Sequence, residues 1–173
     1  MAAGSHAEEN RGAASPTENP LSSVEVEVVR GVVDSWLDRT LAGGSLLAAV
    51  ERDTGAKAGE YRWFVRVLGD SKDTFTIWFT LRQRMLHYET YVMPAPEENH
   101  QRFFENLLRR NRQLVGAAFC LGGEGAVYLV GAVPAATVDE VELDRLLGTL
   151  WDAVERCFHS ALRIGFATRS TEA

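Results

Sequence analysis

Apolar positions early in the chain repeat with a helical period. Val29, Val32, Val33, Trp36 and Leu37 recur at spacings of three and four, which lines them along one helix face. Ser22-Ser23-Val24-Glu25 precedes them and reads as a capping box: a serine hydroxyl accepts from the N3 amide and the glutamate reaches back. Gly43-Gly44 predicts the stop. Positions 24–29 alternate valine with glutamate and could open a strand, but the longer period and the cap outweigh that reading. The period then falls to two. Residues 46–52 predict a weak strand. Residues 61–68, 75–82 and 85–93, rich in aromatic and β-branched side chains, predict strong ones. Gly69-Asp70-Ser71-Lys72-Asp73 and Gln83-Arg84 are turns. Connections this short suit antiparallel hairpins, since a parallel crossover needs a dozen or more residues.

Met93-Pro94-Ala95-Pro96-Glu97-Glu98-Asn99 punctuates the middle. Pro96 suits a first helical position, where its missing N–H is no loss, and Glu97 and Glu98 complement the positive end of a helix dipole. Phe103, Phe104, Leu107 and Leu108 form the expected buried stripe, with Arg109, Arg110 and Arg112 near the negative end and Asn111 or Gly116 as the stop. Strands at 116–121 and 126–133 flank a Gly122-Gly123-Glu124-Gly125 turn. Thr137-Val138-Asp139-Glu140 reads as a second capping box before Leu143, Leu146, Leu147, Leu150, Val154 and Phe158, a helix expected to end near Leu162. Gly148 costs that helix about 1 kcal/mol against alanine, and close packing on the sheet is its expected reason. The order is helix, three or four strands, helix, two strands, helix. That predicts an α+β fold with a mainly antiparallel sheet.

Composition narrows the function classes. The 173 residues suit one domain; 21–168 is the expected domain, 1–20 a polar, aperiodic N-terminal tail expected to be disordered, and 169–173 a short C-terminal tail. A net charge of −6 lacks the basic field of most nucleic-acid binders, so no nucleic-acid partner is expected. No apolar run approaches the roughly 20 residues that span a bilayer, and Met1 to Asn10 lack the basic and apolar regions of a signal peptide. The expectation is a cytoplasmic protein without membrane contact, in which Cys120 and Cys157 are reduced thiols serving as small packing residues.

Known reaction chemistry finds no foothold. GxSxG, P-loop, HExxH and GxGxxG motifs are absent. His6, His87, His100 and His159 lack metal-ligand spacing, so neither a metal nor another cofactor is expected. Asp139, Glu140, Glu142 and Asp144 read as helix capping and a solvated face, and the three arginines near 110 as a dipole complement. The strands hold the less routine feature. Alternation puts Tyr61, Trp63, Val65 and Val67 with Phe75, Ile77, Phe79 and Leu81 on a core face. The opposite face collects Arg62, Phe64, Arg66, Thr76, Trp78 and Thr80, joined by His87, Glu89 and Tyr91. Arginine, aromatics and a carboxylate together are the composition of interface hot spots. Arg62, Arg66, Trp78, His87, Glu89 and Tyr91 are therefore the candidate partner-binding residues, unless the chain's own helices cover that face.

Several segments in order resemble the YbjN domain family, also labelled a sensory transduction regulator family: residues 61–66, 76–81, 86–99, 107–111, 126–131, 143–148 and 163–167. The Gly122–Gly125 turn departs from the Asp-containing turn associated with the family. The resemblance implies a fold like that of class I type III secretion chaperones, a curved antiparallel sheet with helices, often paired. It implies a non-enzymatic, chaperone-like protein-binding module in bacterial regulation or stress response, a homodimer with an unknown protein partner. The alternatives are a small-molecule sensor with a pocket between sheet and helices, and, below it, an enzyme of unknown reaction.

Overall fold

A computed structural model describes residues 20–44, 46–53 and 59–167. The expected tails lie outside these residues, Pro20 apart. The elements are α1 (Ser23–Ala42), β1 (Leu47–Asp53), β2 (Tyr61–Leu68), β3 (Thr74–Leu81), β4 (Met85–Met93), α2 (His100–Asn111), β5 (Ala117–Leu121), β6 (Val127–Pro134) and α3 (Glu140–Gly165). All strand pairs are antiparallel, in the order β1-β2-β3-β4-β6-β5. The fold is α+β, as the pattern predicts.

Alternation builds the core. Val65, Val67, Ile77, Phe79, Leu81, Leu86 and Leu129 point to one face and are fully buried. Against them pack Val26, Val33, Trp36 and Leu37 of α1, Phe103 and Leu107 of α2, and Leu143, Leu146, Leu147 and Leu150 of α3. A buried indole needs an acceptor for its N–H, and the buried Trp36 and Trp63 and the half-buried Trp151 each have one. Trp36 Nε1 donates to Asp144 at 2.7 Å, joining α1 to α3. Trp63 Nε1 donates to Asp34 at 2.9 Å, joining β2 to α1. Trp151 Nε1 donates to the Leu68 carbonyl at 2.9 Å.

The first capping box forms as expected, with Ser22 as N-cap and Glu25 reciprocating. The second does not. Thr137 instead donates its hydroxyl to the Pro134 carbonyl within a 3-10 turn, and Asp139 caps α3 by accepting from the Glu142 amide at 2.8 Å. Pro96 is not the first residue of α2 either. The Glu97 and Glu98 amides both donate to the Gly165 carbonyl, and Asn99, in the left-handed region at φ 52°, donates its side-chain amide to the Ile164 carbonyl. These bonds tie the segment to the end of α3 and delay α2 to His100. Leu108 is 67% exposed and leaves the expected stripe. Gly148 faces open space instead of the sheet, so close packing does not explain it.

The two sheet edges differ. At the β5 edge, Asn111 at the end of α2 offers its side-chain amide to the strand's centre: the Phe119 amide donates to Asn111 Oδ1 at 2.7 Å, and Asn111 Nδ2 donates to the Phe119 carbonyl at 3.2 Å. One side chain thus stands where a neighbouring strand would pair. No described strand pairs with the outer edge of β1.

Candidate functional site

With α1, α2 and α3 on one side, the opposite face of the sheet carries no described element. The alternation that buries Val65 and Ile77 sends Phe64 and Trp78 to this outer face. One row crosses all six strands in register: Glu51, Phe64, Trp78, Glu89, Val130 and Ala118. The next holds Arg66 opposite Thr76, and Tyr91 opposite Tyr128, which in turn faces Cys120. The row on the other side holds Arg62, Thr80, His87 and Ala132.

Aromatic contacts knit the middle of this face. Tyr128 lies 5.6 Å from Tyr91, edge to face, and 6.5 Å from Trp78. These rings remain partly or largely in solvent, Tyr91 at 36% exposure. Arg66 and Glu89 are exposed on either side of Trp78. All six sequence-predicted residues thus share one face. Arg66, Trp78, Glu89 and Tyr91 surround its centre; Arg62 and His87 sit towards the β3–β4 turn. Arg62 is already engaged, since its guanidinium donates to the buried Glu60 carboxylate, which also accepts from Arg82. Those two arginines hold the Glu60 carboxyl below its ordinary range, Arg82 more than Arg62.

The members of the face that β5 and β6 contribute escape a strand-by-strand reading. Tyr128, Val130 and Cys120 join it because β6 returns beside β4, leaving β5 at the edge. The Cys120 thiol is pushed up by partial burial and then by Glu89. Cys157, by contrast, is fully buried in the core, and burial pushes its thiol up to about 11. Neither thiol is an activated nucleophile. Among the described residues, no three His, Cys, Asp or Glu groups gather as a metal site, and no helix is long and apolar enough to cross a membrane.

Lys72 forms an unexpected border to the face. From the β2–β3 turn its amine donates to the Tyr91 and Val92 carbonyls at 2.8 and 2.9 Å. It also lies 5.0 Å from the Tyr91 ring centre and 5.7 Å from that of Phe158 on α3. The turn around it is held by Glu155, which accepts from the Ser71 amide; Asp70 and Asp73 are its acidic neighbours along the turn. Burial lowers the Lys72 pKa to about 8 from an ordinary 10.5. Between those values the folded state has released a proton that the unfolded chain still binds, so stability rises with pH there and is flat below about 8. Cys157 acts in the opposite sense above its ordinary value of 9. Chemical denaturation from pH 7 to 9 is therefore expected to show wild type gaining stability relative to Lys72→Met, a comparison in which Cys157 cancels. Identical pH slopes in the two proteins would remove this role from Lys72.

Comparison with known proteins adds a family. The YbjN family model, described as "Putative bacterial sensory transduction regulator", matches residues 50–163. An uncharacterised protein of Mycobacterium leprae is 34% identical over 113 residues, 65% of this chain and 61% of the relative. Uncharacterised proteins of Mycobacterium bovis and Mycobacterium tuberculosis are 34% identical over 102 residues, 59% of this chain and 56% of theirs. The matched stretch thus spans about three-fifths of the length of these relatives.

Proposed function

The chain belongs to the YbjN family, and from that membership we propose that it is a non-catalytic, chaperone-like protein-binding regulator of the bacterial cytoplasm, working through the open face of its sheet. The observation that carries this reading is the one-sided cover: three helices share one face, while the other presents Trp78, Tyr91 and Tyr128 between charged side chains. Exposed aromatics rimmed by polar groups favour association.

The occupant of the face is a second copy of this chain. Arg66 and Glu89 carry opposite charges on opposite sides of Trp78. An isologous interface must be self-complementary, and a two-fold axis close to Trp78 brings Arg66 of each copy to Glu89 of the other. A pocket between sheet and helices has less support, because Trp36, Trp63, Phe79, Tyr88 and Phe103 fill that layer, all fully buried.

Sedimentation over a micromolar concentration range tests the reading. Wild type is expected to be a dimer. Trp78→Ala is expected to be a folded monomer, since truncating a central aromatic anchor costs at least about 2 kcal/mol of binding, some thirtyfold in affinity. Arg66→Glu and Glu89→Arg should each weaken the dimer, and their combination should restore it. A monomeric wild type, or a charge-reversed pair that stays monomeric, would overturn the proposal.

A further inference from the structure

Among the rings of the open face, Phe64, Trp78 and Tyr128 are half-buried and Tyr91 is exposed. An exposed ring turns about its side-chain bonds unless something holds it, and ordering it on association costs affinity. We propose that Lys72 is the positioning residue of this face: it holds Tyr91 in the orientation that a second copy of the chain meets. The role rests on the self-association proposed above, and it belongs to a residue of the β2–β3 turn, outside the rows of the face.

β4 is irregular where Tyr91 sits. Against β6 its register slips between Tyr91 and Met93, which leaves Val92 as the extra residue of a bulge. Against β3 its register ends one residue before Tyr91, at Thr90 opposite Ile77. In a regular strand successive carbonyls point to opposite edges. Here those of Tyr91 and Val92 meet a single donor, the Lys72 amine, at 2.8 and 2.9 Å. The same amine lies 5.0 Å from the centre of the Tyr91 ring, within reach of a cation–π contact. One cation thus fixes the main chain of Tyr91 and its side chain together. Tyr128 meets the Tyr91 ring edge to face at 5.6 Å and lies 6.5 Å from Trp78, so the orientation set at Lys72 carries to the central anchor.

Lys72 is in turn held from the helical side. Phe158 of α3 lies 5.7 Å from its amine, and Glu155 of α3 accepts from the Ser71 amide beside it. Burial is the cause of its lowered pKa of about 8, with no carboxylate among the causes. A lysine ordinarily keeps its ammonium in water. One drawn out of water without an ion pair costs stability, and such placements gather at functional sites.

Sedimentation tests the role through the dimer dissociation constants of wild type, Lys72→Met, Lys72→Arg, Tyr91→Leu and the Lys72→Met/Tyr91→Leu double variant. Methionine keeps the apolar stem of lysine and lacks the charged donor. Lys72→Met is expected to weaken the dimer about two- to tenfold, the scale of ordering one side chain. Lys72→Arg should recover most of that loss, since a guanidinium also donates to carbonyls and stacks on rings. In the Tyr91→Leu background, Lys72→Met should change nothing further, whereas a lysine that only supports the fold would weaken both backgrounds alike. NMR gives a second readout in Trp78→Ala protein. The Tyr91 Hα–Hβ couplings should report one side-chain rotamer there, and an average in Trp78→Ala/Lys72→Met. A dimer indifferent to Lys72→Met, an equal loss in both backgrounds, or Tyr91 couplings that ignore the substitution would overturn the role while the dimer stands. A monomeric wild type would overturn the dimer, and the role with it.

Discussion

Leu147→Ala lowers the unfolding free energy by about 2–5 kcal/mol, the range for emptying a buried leucine site. Leu147 is 3% exposed and belongs to the row of α3 that includes Leu143, Leu146 and Leu150. Nothing flexible stands ready to refill the space, because sheet and helix side chains form one continuous core. The adjoining residue supplies the contrast. A methyl group added at Gly148 meets no atom within 4 Å, so Gly148→Ala should gain about 1 kcal/mol from helix propensity alone. Urea unfolding is expected to show the two midpoints moving in opposite directions with little change in slope. A Leu147→Ala midpoint equal to that of wild type would mean that the row does not carry core stability.

Gly131→Ala is the second large effect. Gly131 sits in β6 opposite Tyr88 of β4 and Ala117 of β5. A Cβ there would lie 2.2 Å from the Gly116 carbonyl oxygen and 2.4 Å from the Tyr88 ring. Tyr88 is 1% exposed, and its hydroxyl donates to that same Gly116 carbonyl at 2.6 Å. The added methyl must displace the ring or the backbone. Overpacking costs about 1–3 kcal/mol, and loss of the hydrogen bond adds about 1 kcal/mol. Tyr88→Phe, which removes only the bond, should show the smaller part alone. A Gly131→Ala protein as stable as wild type would show that the strands part at this point without cost.

The sequence made the local elements and the two faces legible, because period and alternation are properties of short windows. Trp63 and Trp78 fell on opposite faces by parity alone. What it hid was set by partners distant in the chain. Pro96 and the two glutamates after it look like a helix start, but the Gly165 carbonyl, nearly seventy residues on, takes their amides instead. Thr137 looks like a cap, yet a 3-10 turn uses its hydroxyl first. Tyr128 and Val130 could not be added to the face without knowing that β6, not β5, adjoins β4. Lys72 reads as an ordinary turn lysine until β4 and α3 close around it. Glu60 gave no sign of burial, since one arginine partner, Arg62, lies two residues on in β2 but the other, Arg82, lies 22 residues away, past the end of β3.

The Asn111 side chain that occupies the centre of β5 has a consequence for growth. A sheet with two receptive margins can recruit copies at both ends and lengthen without limit, the route to fibres. Here one margin is blocked at its centre from within the chain, and among the described residues the β1 margin is the one left without a partner. Two molecules joining along β1 would leave only sealed margins outward, and the assembly would terminate at that pair. Asn111 thus acts as a chain terminator, making polymer formation by edge pairing self-limiting at the first step.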